Sequence, residues 1–282
     1  MNFIEARDLY RNALSHLHEP NEIDFYFKSI VRAFFELTPT DLALNPSAFF
    51  KVNQEKLLKE TLKDLVDQKP LQYILKEVYF RNVRLKVDSR VLIPRPETEE
   101  LVQWIVEDHR TNTQRKKVVD FGTGSGCIAI ALAQEHSFFD VTAMDRDQEI
   151  ITLARENALM NQTLVHFIQK DITHLDWNFK TDIMVSNPPY ITPQEQKNIK
   201  KNVLDFEPHQ ALFVPQDDPL IFYRALLDYA RNHLNPSGKI YFEINPLFLQ
   251  ELKKLILLET HYKISVRNDI FGKKRMLRLE RL

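Results

Sequence analysis

Val118-Val119-Asp120-Phe121-Gly122-Thr123-Gly124-Ser125-Gly126 reads as an apolar strand running straight into a glycine-rich turn. A helical pattern from Ser125 to Gln134 follows at once. The chain has only five glycines, and three of them stand in this turn. Such a concentration implies a backbone that bends tightly and comes close to a ligand. In open α/β sheets ligands sit at the carboxyl ends of the strands.

Strand and helix patterns alternate on both sides of this turn from Lys116 onward. Val118 to Phe121, Asp140 to Met144, Leu164 to Ile168, Ile183 to Ser186 and Lys239 to Glu243 are short apolar runs. Asp147 to Met160 and Pro219 to Leu234 are helical stretches between them. The alternation predicts a mostly parallel sheet with helices on both faces. Two last strands, near Tyr262 to Val266 and Arg275 to Leu279, have no helix between them. They are expected to form an antiparallel hairpin at one edge.

A nicotinamide site would read G-x-G-x-x-G. Here the spacing is G-x-G-x-G, and Cys127 stands where the third dinucleotide glycine would be. Asp145 ends the next strand, where a carboxylate can accept hydrogen bonds from both hydroxyls of a ribose. This pair of features favours S-adenosylmethionine (SAM) over a dinucleotide, although Asp145 alone does not separate the two riboses. Asp171 ends the third strand, in position to meet an adenine amino group or simply to cap a turn. Cys127 has no histidine near it in sequence and reads as a packed residue, not a nucleophile.

The fourth strand runs into Asn187-Pro188-Pro189-Tyr190. Two consecutive prolines fix φ and remove two backbone donors. The residue before a proline is held extended. The expected product is a rigid loop at the carboxyl edge of the sheet. A planar amide or amino nitrogen is a poor nucleophile, because its lone pair is delocalised. The Asn187 side-chain oxygen and the Pro188 carbonyl can accept its two N–H groups and aim the lone pair at a methyl donor. Tyr190 can lie against the flat face of such a substrate. This chemistry calls for no metal.

Residues 1–75 read as helices only. Ile4, Leu9, Leu14 and Leu17 recur at roughly helical spacing, and Phe25, Phe27, Ile30, Val31, Phe34 and Phe35 give the stretch from Asn21 to about Leu37 an apolar face. Pro39-Thr40-Asp41 is a turn and cap signal, and Lys56 to Asp67 is amphipathic. A small helical bundle is expected. Residues 76–94 alternate apolar and polar side chains from Tyr79 to Val87, as a β-hairpin linker would. Residues 95–282 then form the α/β domain.

Composition narrows the function classes. The 282 residues are 44% hydrophobic, enough for a sizeable core. A formal charge of -1 lacks the field of a general nucleic-acid binder. Two basic clusters, Lys197 with Lys200 and Lys201, and Lys273 with Lys274 and Arg275, read as solvated faces. Stable nucleic-acid binding is not expected. The single cysteine fits a reducing cytosol, so a cytoplasmic location is expected. The N-terminal stretch lacks the pattern of a signal peptide, and no run approaches about 18 apolar residues, so no membrane partner is expected.

Three segments together resemble one family. They are Asp120 to Gly126, Asn187-Pro188-Pro189-Tyr190, and Leu92-Ile93-Pro94-Arg95-Pro96-Glu97-Thr98-Glu99. Phe206-Glu207-Pro208 followed by Ala211-Leu212 also matches the pattern. The chain resembles the HemK/PrmC family of release-factor glutamine methyltransferases along nearly its whole length. The resemblance implies a seven-stranded Rossmann-like SAM-dependent methyltransferase domain, a small N-terminal helical bundle that recognises substrate and a β-hairpin linker. It implies transfer of a methyl group from SAM to the side-chain nitrogen of the glutamine in the Gly-Gly-Gln motif of class I peptide chain release factors. On that model Gly122, Thr123, Gly124, Ser125, Gly126 and Asp145 hold SAM, Asp171, Ile172 and Asn187 border it, and Asn187 to Tyr190 hold the glutamine. A ribosomal-protein glutamine and a nucleic-acid adenine remain as alternative acceptors. Lys76, Ser237 and Asn245 stand where the family usually has glycine, which puts local turn geometry in doubt.

Overall fold

Asn2 starts the first helix with a capping box. Its side chain accepts from the Glu5 amide, and the Glu5 carboxylate accepts from the Asn2 amide. The computed structural model describes residues 1–111, 113–258 and 262–282. The chain folds as two compact units, one of residues 1–76 with 200–206, the other of 77–199 with 207–282.

The first unit is helical. It contains α1 (Phe3–Leu14), α2 (Pro20–Phe35), α3 (Pro39–Leu44), α4 (Val52–Val66) and α5 (Leu71–Leu75). Ala6, Tyr10 and Leu14 of α1 repeat at helical spacing and are fully buried against Phe27, Ile30 and Leu58. Tyr10 has a polar tip in that core. Its hydroxyl donates to the Leu58 carbonyl at 2.8 Å and lies 2.7 Å from Thr61 Oγ1. A buried hydroxyl without partners would cost about 1–3 kcal/mol.

The second unit begins with the strands β1 (Glu77–Phe80) and β2 (Val83–Lys86). The alternation over Tyr79 to Val87 thus resolves into two antiparallel strands with a tight turn at Arg81-Asn82. Arg81 takes a positive φ of 49°, and Glu99 and Glu135 hold its amide and guanidinium. Then follow α6 (Pro96–His109), β3 (Lys116–Phe121), α7 (Cys127–Glu135), β4 (Phe139–Asp145), α8 (Gln148–Met160), β5 (His166–Gln169) and β6 (Thr181–Ser186). Next come α9 (Lys201–Phe206), which belongs to the first unit, α10 (His209–Leu212), α11 (Ile221–His233), β7 (Leu234–Glu243), α12 (Leu249–Leu257), β8 (Tyr262–Asn268) and β9 (Lys274–Arg281).

The sheet has seven strands in the order β5-β4-β3-β6-β7-β9-β8. The first five are parallel, and β9 pairs antiparallel with both β7 and β8. This is the expected Rossmann-like architecture with its antiparallel edge. Successive side chains point to opposite faces. Val118, Ile183 and Val185 therefore join the core under α6, α7 and α8, while Val119 and Met184 join the core under α11 and α12.

Three expectations shift in detail. Ser125 and Gly126 belong to the turn, and the helix starts at Cys127, because Gly126 sits at φ 84°. Strand β7 starts at Leu234, since Leu234 pairs with Thr181 across an irregularity in the ladder. Lys76 and Ser237, two of the positions without an expected glycine, both take φ 58°. The turn geometry is kept by side chains that favour it less, at a cost of about 1–2 kcal/mol each.

Helix α8 holds β2 by its open edge. The Lys86 amide donates to Asn157 Oδ1 at 2.7 Å, and Asn157 Nδ2 donates back to the Lys86 carbonyl at 3.0 Å. One turn on, Asn161 does the same with Arg84, at 3.1 and 2.7 Å. Four helical residues rise about 6 Å and two strand residues about 6.6 Å, so the spacings match. Asn157 Nδ2 also donates to the Ser125 carbonyl at 2.9 Å, tying the glycine turn to the same helix. Asn157 is fully buried. Replacing Asn157 with Ala strands three main-chain groups and is expected to destabilise the second unit by about 2–4 kcal/mol. Urea unfolding of the variant checks this, and a midpoint equal to that of the parent chain would refute it.

Candidate active site

Strands β3 and β6 lie side by side, and the connections from their carboxyl ends depart to opposite sides of the sheet. That is the switch point at which open α/β sheets leave a crevice. The glycine turn leaves β3 there, and Asn187-Pro188-Pro189-Tyr190 leaves β6. The buried Ser186 hydroxyl donates to the Phe121 carbonyl at 2.7 Å and joins the two loops at their roots.

A cavity opens over this point. Gly122, Thr123, Gly124, Ser125, Asp145, Asp171, Ile172, Asn187 and Pro189 all line it. Gly126, Pro188 and Tyr190 do not. Gly126 instead packs helices: a Cβ there would come within 3.0 Å of Ile130 and 3.3 Å of Ala154. Gly124 sits at φ 54° with nothing within 4 Å of where its Cβ would stand. That open space is where backbone can approach a ligand.

The carboxylates of the site differ in setting. Asp145 Oδ2 accepts from the Gly124 amide at 3.0 Å. Burial pushes its carboxyl above the ordinary range, against donations from backbone amides. At Asp171 burial also pushes upward, but donations from the Thr173 hydroxyl and amide outweigh it and hold the carboxyl low. Asp171 Oδ1 takes both of those bonds, so the residue caps the turn that carries Ile172 and also faces the cavity. Asp120 lies deeper and is fully buried, with its Oδ2 accepting from the Thr123 hydroxyl at 2.6 Å. Burial raises it to about 7. Burial likewise pushes the Cys127 thiol up to about 12, which suits a packed residue and not a nucleophile.

Behind the Asn-Pro-Pro-Tyr loop stands a chain of polar groups. Asn187 Nδ2 donates to Thr98 Oγ1 at 3.1 Å, and Thr98 Oγ1 donates to Glu243 Oε2 at 2.6 Å. Tyr190 donates its hydroxyl to Glu243 Oε1 at 2.9 Å and accepts from Arg275 at 3.2 Å. Arg275 in turn donates to Asp269. Tyr190 is thus turned toward a buried carboxylate and the core beneath α11, not into the cavity. Asn245 donates to the Tyr190 carbonyl at 3.1 Å, so this departure from the family pattern touches the loop directly.

The lip of the cavity is tied in a similar way. The Ile93 amide donates to Glu207 Oε2 at 3.2 Å, and Arg95 donates to Glu207 Oε1. The Arg-Pro-Glu-Thr-Glu and Phe-Glu-Pro segments, far apart in sequence, therefore meet through one buried carboxylate. Thr98, Glu207 and Glu243 carry no individual role in the sequence reading, and Arg275, expected on a solvated basic face, is instead largely buried between Asp269 and Tyr190. A glutamate at the end of an otherwise apolar strand, as in Tyr241-Phe242-Glu243, was the available signal.

Comparison with known proteins identifies the family. Residues 98–209 match the family model for the methyltransferase small domain. Release factor glutamine methyltransferase from Flavobacterium psychrophilum is 41% identical over 97% of each chain. The enzymes of that name from Bacteroides thetaiotaomicron and Lactococcus lactis are 36% and 40% identical, over 100% of both chains and over 98% and 99%. The chain belongs to the release factor glutamine methyltransferase family. Among solved structures, a methyltransferase from Pyrococcus furiosus superposes with a TM-score of 0.52 at 16% identity, covering 82% of this chain and 98% of that one, a likeness of fold. No helix among the described residues is long and apolar enough to cross a membrane.

The raised Asp120 gives this family member a testable acid-base signature. The folded chain keeps a proton on Asp120 that the unfolded chain releases above about pH 4. Stability from this group is therefore present at low pH and lost as pH rises through about 4 to 7. Replacing Asp120 with Asn removes the titration. The melting temperature of the variant is expected to gain on the parent chain across that window and then level off. Parallel curves from acid to neutral pH would show that Asp120 is not raised.

Proposed function

We propose that this chain transfers a methyl group from SAM to the side-chain amide nitrogen of the glutamine in the Gly-Gly-Gln motif of class I release factors, in the cytoplasm, in support of translation termination. The observation that carries the reading is the setting of Asn187. It lines the same cavity as the glycine turn, with its amino group committed to Thr98. Its carbonyl oxygen is left to accept an N–H from an incoming amide.

SAM suits the cavity by the open approach at Gly124 and by the carboxylate of Asp145 at the end of β4. Gly122, Thr123, Gly124, Ser125 and Asp145 would hold it, with Asp171 and Ile172 beside the adenine and Gly126 setting the turn. When bound, SAM supplies an electrophilic methyl group on a cationic sulfur. The chain's own part is orientation. Asn187 Oδ1 accepts one N–H of the glutamine. The Pro188 carbonyl, between the lining residues Asn187 and Pro189 but itself outside the lining, would accept the other once the amide enters. The pair of bonds turns the nitrogen lone pair out of conjugation and favours the positive charge that develops on nitrogen. Pro188 and Pro189 keep both acceptors from moving. Tyr190 serves as a brace for the loop through Glu243.

A labelled-SAM assay separates this reading from nucleic-acid methylation. Label is expected in a purified class I release factor and not in DNA, and the reverse would overturn the proposal. Asn187→Ala is expected to lower transfer by about 100-fold or more while SAM binding, read by calorimetry, changes little.

A further inference from the structure

With Glu243 ionised, hydrogen-bond direction is set along the whole chain of groups behind Asn187. Arg275 is always a donor, so Tyr190 accepts from it and must give its own proton to Glu243. An ionised carboxylate only accepts, so Thr98 must also give its single hydroxyl proton to Glu243. Thr98 can then only accept from Asn187. The Asn187 amino group is forced inward, and its oxygen is forced to the other side.

We propose that Glu243 is a positioning residue, whose carboxylate acts through Thr98 to fix which end of the Asn187 amide meets the acceptor nitrogen. The inference rests on the reading of Asn187 as the acceptor of a substrate N–H. A neutral group at position 243 reverses the chain. Thr98 can then accept a proton from it and turn its own proton on Asn187. Asn187 would present an amino group to a substrate that also presents one.

Glu243 is enclosed by groups from several elements. Thr98 and Glu97 come from α6, Cys127 from α7, Tyr190 from the loop after β6, Tyr223 from α11 and Arg275 from β9. Tyr223 meets only its main chain, donating to the Glu243 carbonyl at 2.9 Å. Burial pushes the carboxyl upward, with Glu97 adding to it, while Thr98, Tyr190 and Arg275 oppose. Protonation of Glu243 on acidification would have the same consequence as neutral substitution.

Two substitutions and their combination test the relay. In Glu243→Gln, Tyr190 keeps its donation, so the new amide oxygen faces Tyr190 and the new amino group faces Thr98. This variant is expected to lose about 100-fold in kcat with SAM affinity unchanged. Thr98→Val removes the hydroxyl that transmits the reversal, and is expected to lose about 10-fold. The double variant is expected to match Thr98→Val, so that a second substitution restores activity to Glu243→Gln. Thr98→Ser is expected to recover most of the loss seen with valine. The acid limb of kcat in the parent chain should vanish in Thr98→Val. Additive losses in the double variant, or an acid limb kept by Thr98→Val, would overturn the relay.

A readout without substrate keeps the two proposals apart. The side-chain amide protons of Asn187, assigned by their absence in Asn187→Asp, are expected to exchange slowly in the parent chain and in Thr98→Ser. They are expected to exchange fast in Thr98→Val. Equal exchange in all three overturns the relay even if the chain methylates release factor. Slow exchange that Thr98→Val abolishes, in a chain that labels no release factor, upholds the relay and rejects that substrate.

Discussion

Parallel pairing of β3 with β6 is the constraint on which the site depends. Two strands that neighbour each other in space, but are separated in sequence by two helix crossovers, deliver their loops to one edge. This strand order brings the glycine turn and the Asn-Pro-Pro-Tyr loop to one cavity. Ser186 fixes the junction at the level of single atoms, because its hydroxyl completes the bonding of the Phe121 carbonyl just below both loops. What the glycine turn and the Asn-Pro-Pro-Tyr loop present to the cavity is then a consequence of which residues follow Phe121 and Ser186.

Rigidity comes from behind the cavity wall. Three buried side chains each satisfy main-chain or side-chain groups from distant segments: Asn157 for β2 and the glycine turn, Glu207 for the lip, and Glu243 for Thr98 and Tyr190. A buried polar group left half-paired costs more than it contributes, so each of these connections is all-or-none. The loops that touch a ligand are short and apolar or glycine-rich, and cannot hold themselves. Their geometry is stored in residues that no ligand reaches.

The sequence made the sheet legible because its strands are short apolar runs set between helical patterns, and the switch from one period to the other marks each boundary. The glycine turn was legible for a different reason: glycine is rare in this chain, and a cluster of it has few structural meanings. Gly126 shows the limit. It belongs to the motif by spacing, yet its φ and its contact with Ala154 are matters of helix packing. Tyr190 shows another. Its place in the tetrapeptide pointed to a substrate surface, and only the arrival of Glu243 from β7 and Arg275 from β9 turns it inward. Neither partner is near it in sequence, and no periodicity announces a pairing across three strands. Lys76 and Ser237 illustrate the converse, a left-handed backbone kept without the residue that usually signals it.

Asn157 and Asn161 bind the edge of β2 much as another strand would, and Asn157 binds the glycine turn as well. The hairpin and the ligand-binding turn therefore share one cooperative unit of local opening. Backbone amides at Arg84 and Lys86, which lie outside the cavity, would report any loosening of the turn through faster deuterium uptake, and a ligand that orders the turn would slow them in step.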